Sequence, residues 1–371
     1  MVLSMERWVD ITKEEDILNT FKWIKEHLGP VHILINSAGI YKLNNLSSGS
    51  TKDWNDIFQV NVFGLCIATR EAVKDMKANN VDGHIVHINS IAGHKVYDFP
   101  KANVNPAAKF AVTALAETLR LELNSLKLKI KVTVILDKID FQHSRTDHKT
   151  SFGLYSPKVA ALARRKDPLE ELSKKLSNKK GKLFPIKTDV AKEEEILDAF
   201  KWIKEHMGPV HILINNAGIV RFGKYLSDGD TEAWKEVFQI NVIGLSIATR
   251  EAIKDMKANA VDGHIIHINS ITGHELKYYP KVNVYPASKF AVTALAETLR
   301  LELNALKLKI KITSVSPGLV DTEIIPGGAK RHYATNTVIE PEQIADAVVY
   351  ALSTPPHVQI QELTIRPIFD F

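Results

Sequence analysis

"DVAKEEEILDAFKWIKEHMGPVHILINNAGI" fills residues 189–219. Within it Ile196, Phe200 and Ile203 recur at helical spacing and Gly208 offers a stop, so its first half predicts an amphipathic helix. "PVHILIN" then gives a short β-branched run ending in a polar residue, the pattern of a buried parallel strand read towards its C-terminal end. The same alternation continues outward. "GHIIHINS" predicts a strand, "ASKFAVTALAETLRLELNAL" a long Ala/Leu-rich helix and "KIKITSVSPG" another strand. Strand and helix taking turns imply an α/β fold with a parallel sheet. In such sheets ligands sit beyond the carboxyl ends of the strands, where "NNAG", "INS" and "SPG" all fall.

The opening stretch is written twice. "DITKEEDILNTFKWIKEHLGPVHILINSAGI" at 10–40 is its near copy, and the correspondence runs on, after one inserted residue, through "KLKIKVT" (127–133) and "KLKIKIT" (307–313). The period is far longer than that of a solenoid repeat, so the chain carries a duplicated domain. The expected organisation is a truncated copy over 1–136, a polar linker or loop over 137–157, and a fuller copy over 158–371.

Composition narrows the class. The chain has 371 residues, 45% of them apolar and 25% charged, as in a soluble globular protein. No run is long enough to span a bilayer, and "MVLSMERWVD" lacks the apolar core of a signal peptide. Cys66 is the one cysteine, so no intrachain disulfide can form and a reducing, cytoplasmic setting is expected. The net charge of +5 comes from lysines spread along amphipathic stretches such as "KWIKEHLG", a solvated surface and not a nucleic-acid footprint. The 14 histidines form no HExxH or Cys/His array, so no metal site is expected.

Tyr285 and Lys289 stand four apart at the start of a helix and project from one face. A phenol titrates near ~10, and a close ammonium favours its ionised form, which suits a general acid/base. A lone YxxxK is weak, but this one has company. Ser270 ends a strand in "INSITG", Asn241 sits in "QINVIG" at a helix entrance, "NNAG" (215–218) ends another strand, and "SPGLVDT" (316–322) ends a third.

With these motifs in this order, the second copy resembles a short-chain dehydrogenase/reductase, closest to the subgroup of insect farnesol dehydrogenases and related carbonyl and steroid reductases. The resemblance implies a Rossmann-like, doubly wound parallel sheet, here duplicated. It implies that Tyr285 exchanges a proton with the substrate oxygen and that Lys289 binds the nicotinamide ribose and lowers the tyrosine pKa. Ser270 would orient the carbonyl, and Asn241 would help hold a relay water. Asn216, Ala217 and Gly218 would line the cofactor, and Pro317, Gly318, Val320 and Thr322 would shape its carboxamide end. "KVAALARRKDPLEELSKKL" (158–176) resembles the family's second strand and following helix. Arg164 and Arg165 at that strand end point to a 2′-phosphate and so to NADP, unless they are a basic surface turn. Asp189 matches the family residue beside the adenine.

Two departures bear on activity. The family opens with a strand running into TGxxxGxG, whose amides meet the pyrophosphate, and neither copy has that βα unit. Its loss is expected to leave a cleft in the sheet and weak NADP binding. The first copy keeps Asn61, Ser90 and Lys109 but reads Asn105 where Tyr285 stands, so it has no titratable group for that step. The expected function is therefore NADP(H)-dependent interconversion of a lipophilic alcohol and carbonyl by the second copy. Apolar and aromatic residues in "EIIPGGAKRHYATNTV" (323–338) and "LKYYPKVNV" (276–284) favour such a substrate. The alternatives are an impaired pseudoenzyme or scaffold, and a reading frame that joins neighbouring genes or omits exons. The helices kept by both copies predict an intramolecular pseudo-dimer, 62–78 and 107–123 against 242–258 and 287–303, or else a homo-oligomer.

Overall fold

The computed structural model describes residues 8–96, 101–137, 157–276, 281–332 and 338–367, without the side chains of 136 and 137. Most of the 137–157 segment and parts of the loops at 276–284 and 323–338 lie outside the described residues.

Helix and strand alternate from the start. Glu14–His27 (α1) leads to Ile33–Asn36 (β1), Thr51–Phe58 (α2), Leu65–Ala78 (α3), His84–Ser90 (β2), Asn105–Ser125 (α4) and Lys131–Asp137 (β3). Lys158–Ala163 (β4), Asp167–Lys175 (α5) and Lys182–Lys187 (β5) follow. The first pattern then recurs as Glu193–His206 (α6), Ile212–Asn215 (β6), Thr231–Phe238 (α7), Leu245–Ala258 (α8), His264–Ile268 (β7), Tyr285–Ala305 (α9) and Lys311–Pro317 (β8). Pro341–Leu352 (α10) and Glu362–Ile365 (β9) complete the second copy.

Local chemistry accounts for these elements. In α6 three glutamates occupy the first turn and Lys204 and His206 the last, which complements the helix dipole. Ile196 and Ala199 are buried on its inner face. The chain leaves the helix through Gly208 at φ +90°, a left-handed conformation that costs glycine little.

Every strand pair is parallel, so each connection is a crossover carrying a helix. The strands form three sheets in the orders β1-β2-β3, β4-β5 and β6-β7-β8-β9. Among the described residues, no strand pairs with the free edge of β4 or of β6. Parallel strands are ordinarily covered on both faces. Here Ile212 and Ile214 of β6 remain 36% and 45% exposed, and Ile33 and Ile35 of β1 remain 61% and 59% exposed.

One hydrophobic core runs through both copies, from Trp54, Phe58 and Leu115 to Trp234, Phe238 and Leu295. Its centre is α4 packed along α9. Phe238 meets the rings of Phe58 and Phe63, each at 5.4 Å between centroids. Polar contacts repeat with pseudo-twofold symmetry. Glu122 accepts from the backbone N–H groups of Leu226 and Ser227 at 2.8 and 3.1 Å, and Glu302 accepts from those of Leu46 and Ser47 at 2.7 and 3.1 Å. Helices α3 and α8 reach the other copy through Arg70 and Arg250. Arg70 donates to the Gly229 carbonyl and Thr231 and lies over Trp234; Arg250 does the same with Gly49, Thr51 and Trp54.

Candidate functional site

The carboxyl ends of β6, β7 and β8 bring the expected side chains of the second copy together. Ser270, two residues beyond β7, has extended backbone, and its hydroxyl accepts from the Thr272 N–H at 3.2 Å and the Thr272 hydroxyl at 3.0 Å. With its lone pairs thus engaged, Ser270 shares a hydrogen bond with the Tyr285 hydroxyl. Tyr285 opens α9, and Pro286 follows in the first turn, where its missing N–H costs nothing. One turn on, Lys289 is 6% exposed; its Nζ donates to the Ile268 carbonyl at 3.0 Å and lies 5.8 Å from the Tyr285 ring centre.

Asn241 is buried, and its environment differs from the expected helix entrance. Helices α7 and α8 are joined without a break by a π-helical segment, Gln239–Gly244, and Asn241 lies inside it. The wider turn fits because Gly244 lies against the Val190 carbonyl, which a Cβ there would meet at 2.3 Å. Such segments are common at functional sites. The Asn241 amide is fully employed: Oδ1 accepts from the Ile219 N–H at 2.8 Å, and Nδ2 donates to the Ile219 carbonyl at 2.9 Å and to Ser288 Oγ at 3.1 Å. The side chain therefore staples the loop after β6 to α9, and no side-chain donor is left for a water.

Burial governs the electrostatics of the pair. Burial pushes the Tyr285 phenol up to about 12, partly offset by the hydrogen bond with Ser270. Burial also pulls Lys289 down to about 8. Lys289 Nζ is turned to a backbone carbonyl and faces the Tyr285 ring, and desolvation is the largest influence on both groups.

The proposed cofactor residues divide into two sets. Asn216 and Ala217 are exposed beyond β6, and Gly218 approaches the centre so closely that a Cβ would lie 3.5 Å from Asn241 Oδ1 and 3.8 Å from Lys289 Nζ. Pro317 is the last residue of β8; the Gly318 N–H donates to the Ile365 carbonyl at 2.7 Å, Val320 bridges Ile339, and the Thr322 N–H donates to the Val320 carbonyl. These positions lie at or beyond the carboxyl ends of β6 and β8, the strand ends where ligands sit in parallel sheets. The phosphate half is poorly furnished. Arg164 and Arg165 are exposed past the end of β4, and Arg165 pairs with Glu323 at 2.5 Å. The Asp189 carboxylate accepts from the Ala191 N–H at 3.0 Å, which shapes the turn into α6. Among the described residues no glycine-rich turn presents amides for a pyrophosphate.

The first copy repeats the scaffold with Asn105 in the place of Tyr285. Asn61 staples Ile40 as Asn241 staples Ile219. Asn105 is buried and donates to the carbonyls of Lys42 and Ala102 at 3.1 and 2.7 Å, turned away from a catalytic use. Thr272, Ser288 and His274 belong to the second site and were not expected from the sequence. His274 Nε2 lies 2.9 Å from Ser316 Oγ and 3.3 Å from a Glu362 carboxylate oxygen. A signal for two of them was present: alanines, Ala92 and Ala108, stand in the first copy where Thr272 and Ser288 stand in the second.

Comparison with known proteins identifies the family. The "short chain dehydrogenase" family model matches residues 5–137 and 151–329. Farnesol dehydrogenase of Aedes aegypti is 45% identical over 211 residues, which cover 57% of this chain and 85% of that one. Dehydrogenase/reductase SDR family member 11 of Mus musculus is 43% identical over 220 residues, covering 57% and 84%. Among solved structures, the closed form of serine dehydrogenase complexed with NADP+ aligns with a TM-score of 0.51 at 28% identity, over 57% of this chain and 86% of that one. The parallel sheets, the Ser270–Tyr285–Lys289 cluster and a family match over both copies together place this chain in the short chain dehydrogenase family, an oxidoreductase fold built for a nicotinamide cofactor.

Proposed function

We propose that the second copy interconverts a lipophilic alcohol and its carbonyl with NADP(H), the first copy serving as its structural partner. The domain limits that go with this reading are 1–136 and 158–371. The observation that carries it is the meeting of Tyr285, Ser270, Lys289 and Asn241 at the carboxyl ends of one sheet. A bound nicotinamide would supply or accept the hydride. Ser270 holds the carbonyl oxygen, and Tyr285, which keeps its proton at neutral pH, donates that proton as the oxygen becomes an alcohol. Lys289 anchors the ribose hydroxyls. Arg164 and Arg165 favour NADP over NAD, in line with the NADP+ held by the serine dehydrogenase neighbour. The name of the Aedes aegypti relative favours an isoprenoid alcohol, and a reducing cytoplasmic compartment suits the lone Cys66.

A specific observation also favours a second reading, a pseudoenzyme that binds cofactor poorly: the sparse furnishing of the phosphate half. One experiment separates the two. Reduction of farnesal by NADPH is followed in the wild type, Tyr285→Phe and Asn105→Ala. Turnover abolished by the first substitution and little altered by the second supports the enzyme. No turnover by the wild type supports the pseudoenzyme, and equal loss from both substitutions refutes assignment to one copy.

A further inference from the structure

The loop that leaves β6 is held at its start, its middle and its end by different parts of the molecule. At its start the Asn241 amide brackets Ile219, the residue after Gly218. At its middle Gly223, at φ +108°, donates its N–H to the Lys281 carbonyl at 3.2 Å. The Lys281 ammonium also lies 5.9 Å from the Tyr225 ring centre. Lys281 opens the tight bend that enters α9. Lys281 and Asn283 both have left-handed backbone, at φ 62° and 61°, and the Tyr285 N–H donates to the Val282 carbonyl at 3.1 Å.

The end of the loop is held by the first copy. Glu122 on α4 is 3% exposed, and its carboxylate takes the N–H groups of Leu226 and Ser227. Hydrogen bonds to a carboxylate are roughly twice as strong as neutral ones, and two on adjacent residues fix the direction of the chain as well as its place. Consecutive Cα atoms stand about 3.8 Å apart, so fixing Leu226 confines Gly223, and through it Lys281. The first copy repeats the device. Asn44 donates its N–H to the Lys101 carbonyl at 3.0 Å, and Glu302 of α9 holds Leu46 and Ser47, but the bend there leads to Asn105.

We propose that Glu122 of the first copy is a positioning residue for the chemistry of the second: through the loop after β6 and Lys281 it sets the entry of α9 and so the place of Tyr285. The site is then incomplete without the first copy, which lends it this carboxylate. Glu302 does the same for a bend that ends in asparagine, so its loss has no catalytic consequence. The inference rests on the reading of the second copy as the active one.

The test compares matched substitutions in the full chain. Glu122→Ala and Glu302→Ala each remove two hydrogen bonds at equivalent places of the contact, whereas Glu122→Gln and Glu302→Gln keep the size and one acceptor oxygen. Should an alanine variant fail to fold, the glutamine pair carries the comparison. An error of about 1 Å at a reacting group costs up to about 100-fold in rate. The expected loss in kcat for farnesal reduction is about ten-fold for Glu122→Ala and about three-fold for Glu122→Gln, with KM little changed and both Glu302 variants within about two-fold of wild type. An unchanged kcat in the Glu122 variants, or equal losses in the two pairs, overturns the proposal. Hydrogen–deuterium exchange gives a second readout that needs no turnover. Glu122→Gln should speed exchange about five-fold in 223–227 and also in 281–285. Glu302→Gln should act on 44–47 and 101–105 and leave 281–285 as it was. Faster exchange at 226–227 with 281–285 untouched by Glu122→Gln overturns the proposal whatever the activity. A silent wild type with the expected exchange pattern refutes the proposed activity and supports the positioning link.

Discussion

Asn105 and Tyr285 hold equivalent positions in two nearly identical helices, and the first offers a carboxamide that does not titrate where the second offers a phenol. Around it the second copy carries two more hydroxyls, Thr272 and Ser288, where the first has Ala92 and Ala108. Thr272 donates to Ser270 and so leaves the serine proton for the tyrosine or the substrate. Losing one such bond is worth about 1 kcal/mol, so Thr272→Ala should lower kcat roughly five-fold with KM little changed, and Thr272→Ser should restore it. An unchanged kcat in the alanine variant would show that Ser270 orients itself. The elevated phenol also sets a pH dependence. Oxidation of an alcohol needs the ionised tyrosine, which becomes populated only as pH approaches about 12. Its rate should therefore keep climbing through pH 9 while carbonyl reduction stays flat there. A plateau of oxidation near neutrality, read from the pH–rate profile, would mean that the phenol ionises far below this value.

Helices α3 and α8 illustrate how an element acts through one residue. Arg250 is almost wholly buried, with Glu193 and Glu251 at 2.7 and 2.6 Å and three further partners from the first copy: the Gly49 carbonyl, Thr51 and the Trp54 ring. Removing it strands buried acceptors and a carboxylate, so Arg250→Ala should lower the unfolding free energy by about 3 kcal/mol in urea titration. The Arg165–Glu323 pair is short but exposed on both sides, and exposed pairs contribute little. Arg165→Ala should cost less than about 0.5 kcal/mol. Equal effects of the two would show that the contact between copies adds nothing to stability.

At the scale of the molecule, the two copies pack against each other through α4 and α9 and share one core. Acid should act on this contact through Glu14 and Glu193. For each, burial alone would raise the pKa, but the hydrogen bonds from Arg70 and Thr231, or from Arg250 and Thr51, outweigh it and leave the carboxyl below 4.5. A carboxyl depressed in the folded state stabilises fully above its unfolded value and ceases to do so as pH falls through its folded value. Stability should thus hold above pH 4.5 and decline below it, with the copies loosening. Small-angle scattering between pH 6 and pH 3 would show the radius growing only in the lower part of that range. Growth beginning above pH 5 would assign the transition to other groups.

The repeat, the alternation of helix and strand, the loss of the tyrosine from the first copy and the absence of a glycine-rich turn could all be read from residues in order. Each depends on local pattern or on the chemistry of one side chain, and neither needs a distant neighbour. The helix in 193–206 and the strand in 212–215 followed from apolar spacing alone. Three features came from the tertiary structure. Asn241 lies within a continuous helical run because Gly244 can approach the Val190 carbonyl, a contact between distant segments that spacing does not encode. Tyr285 and Lys289 are both shifted by desolvation, which depends on what the rest of the chain packs around them and not on their separation of four residues. The division into three sheets, with no partner for one edge of β4 and of β6 among the described residues, was not legible in the sequence because hydrogen-bonded partners in a parallel sheet come from far along the chain. Residue order shows which strands to expect; only the packed molecule shows which of them pair.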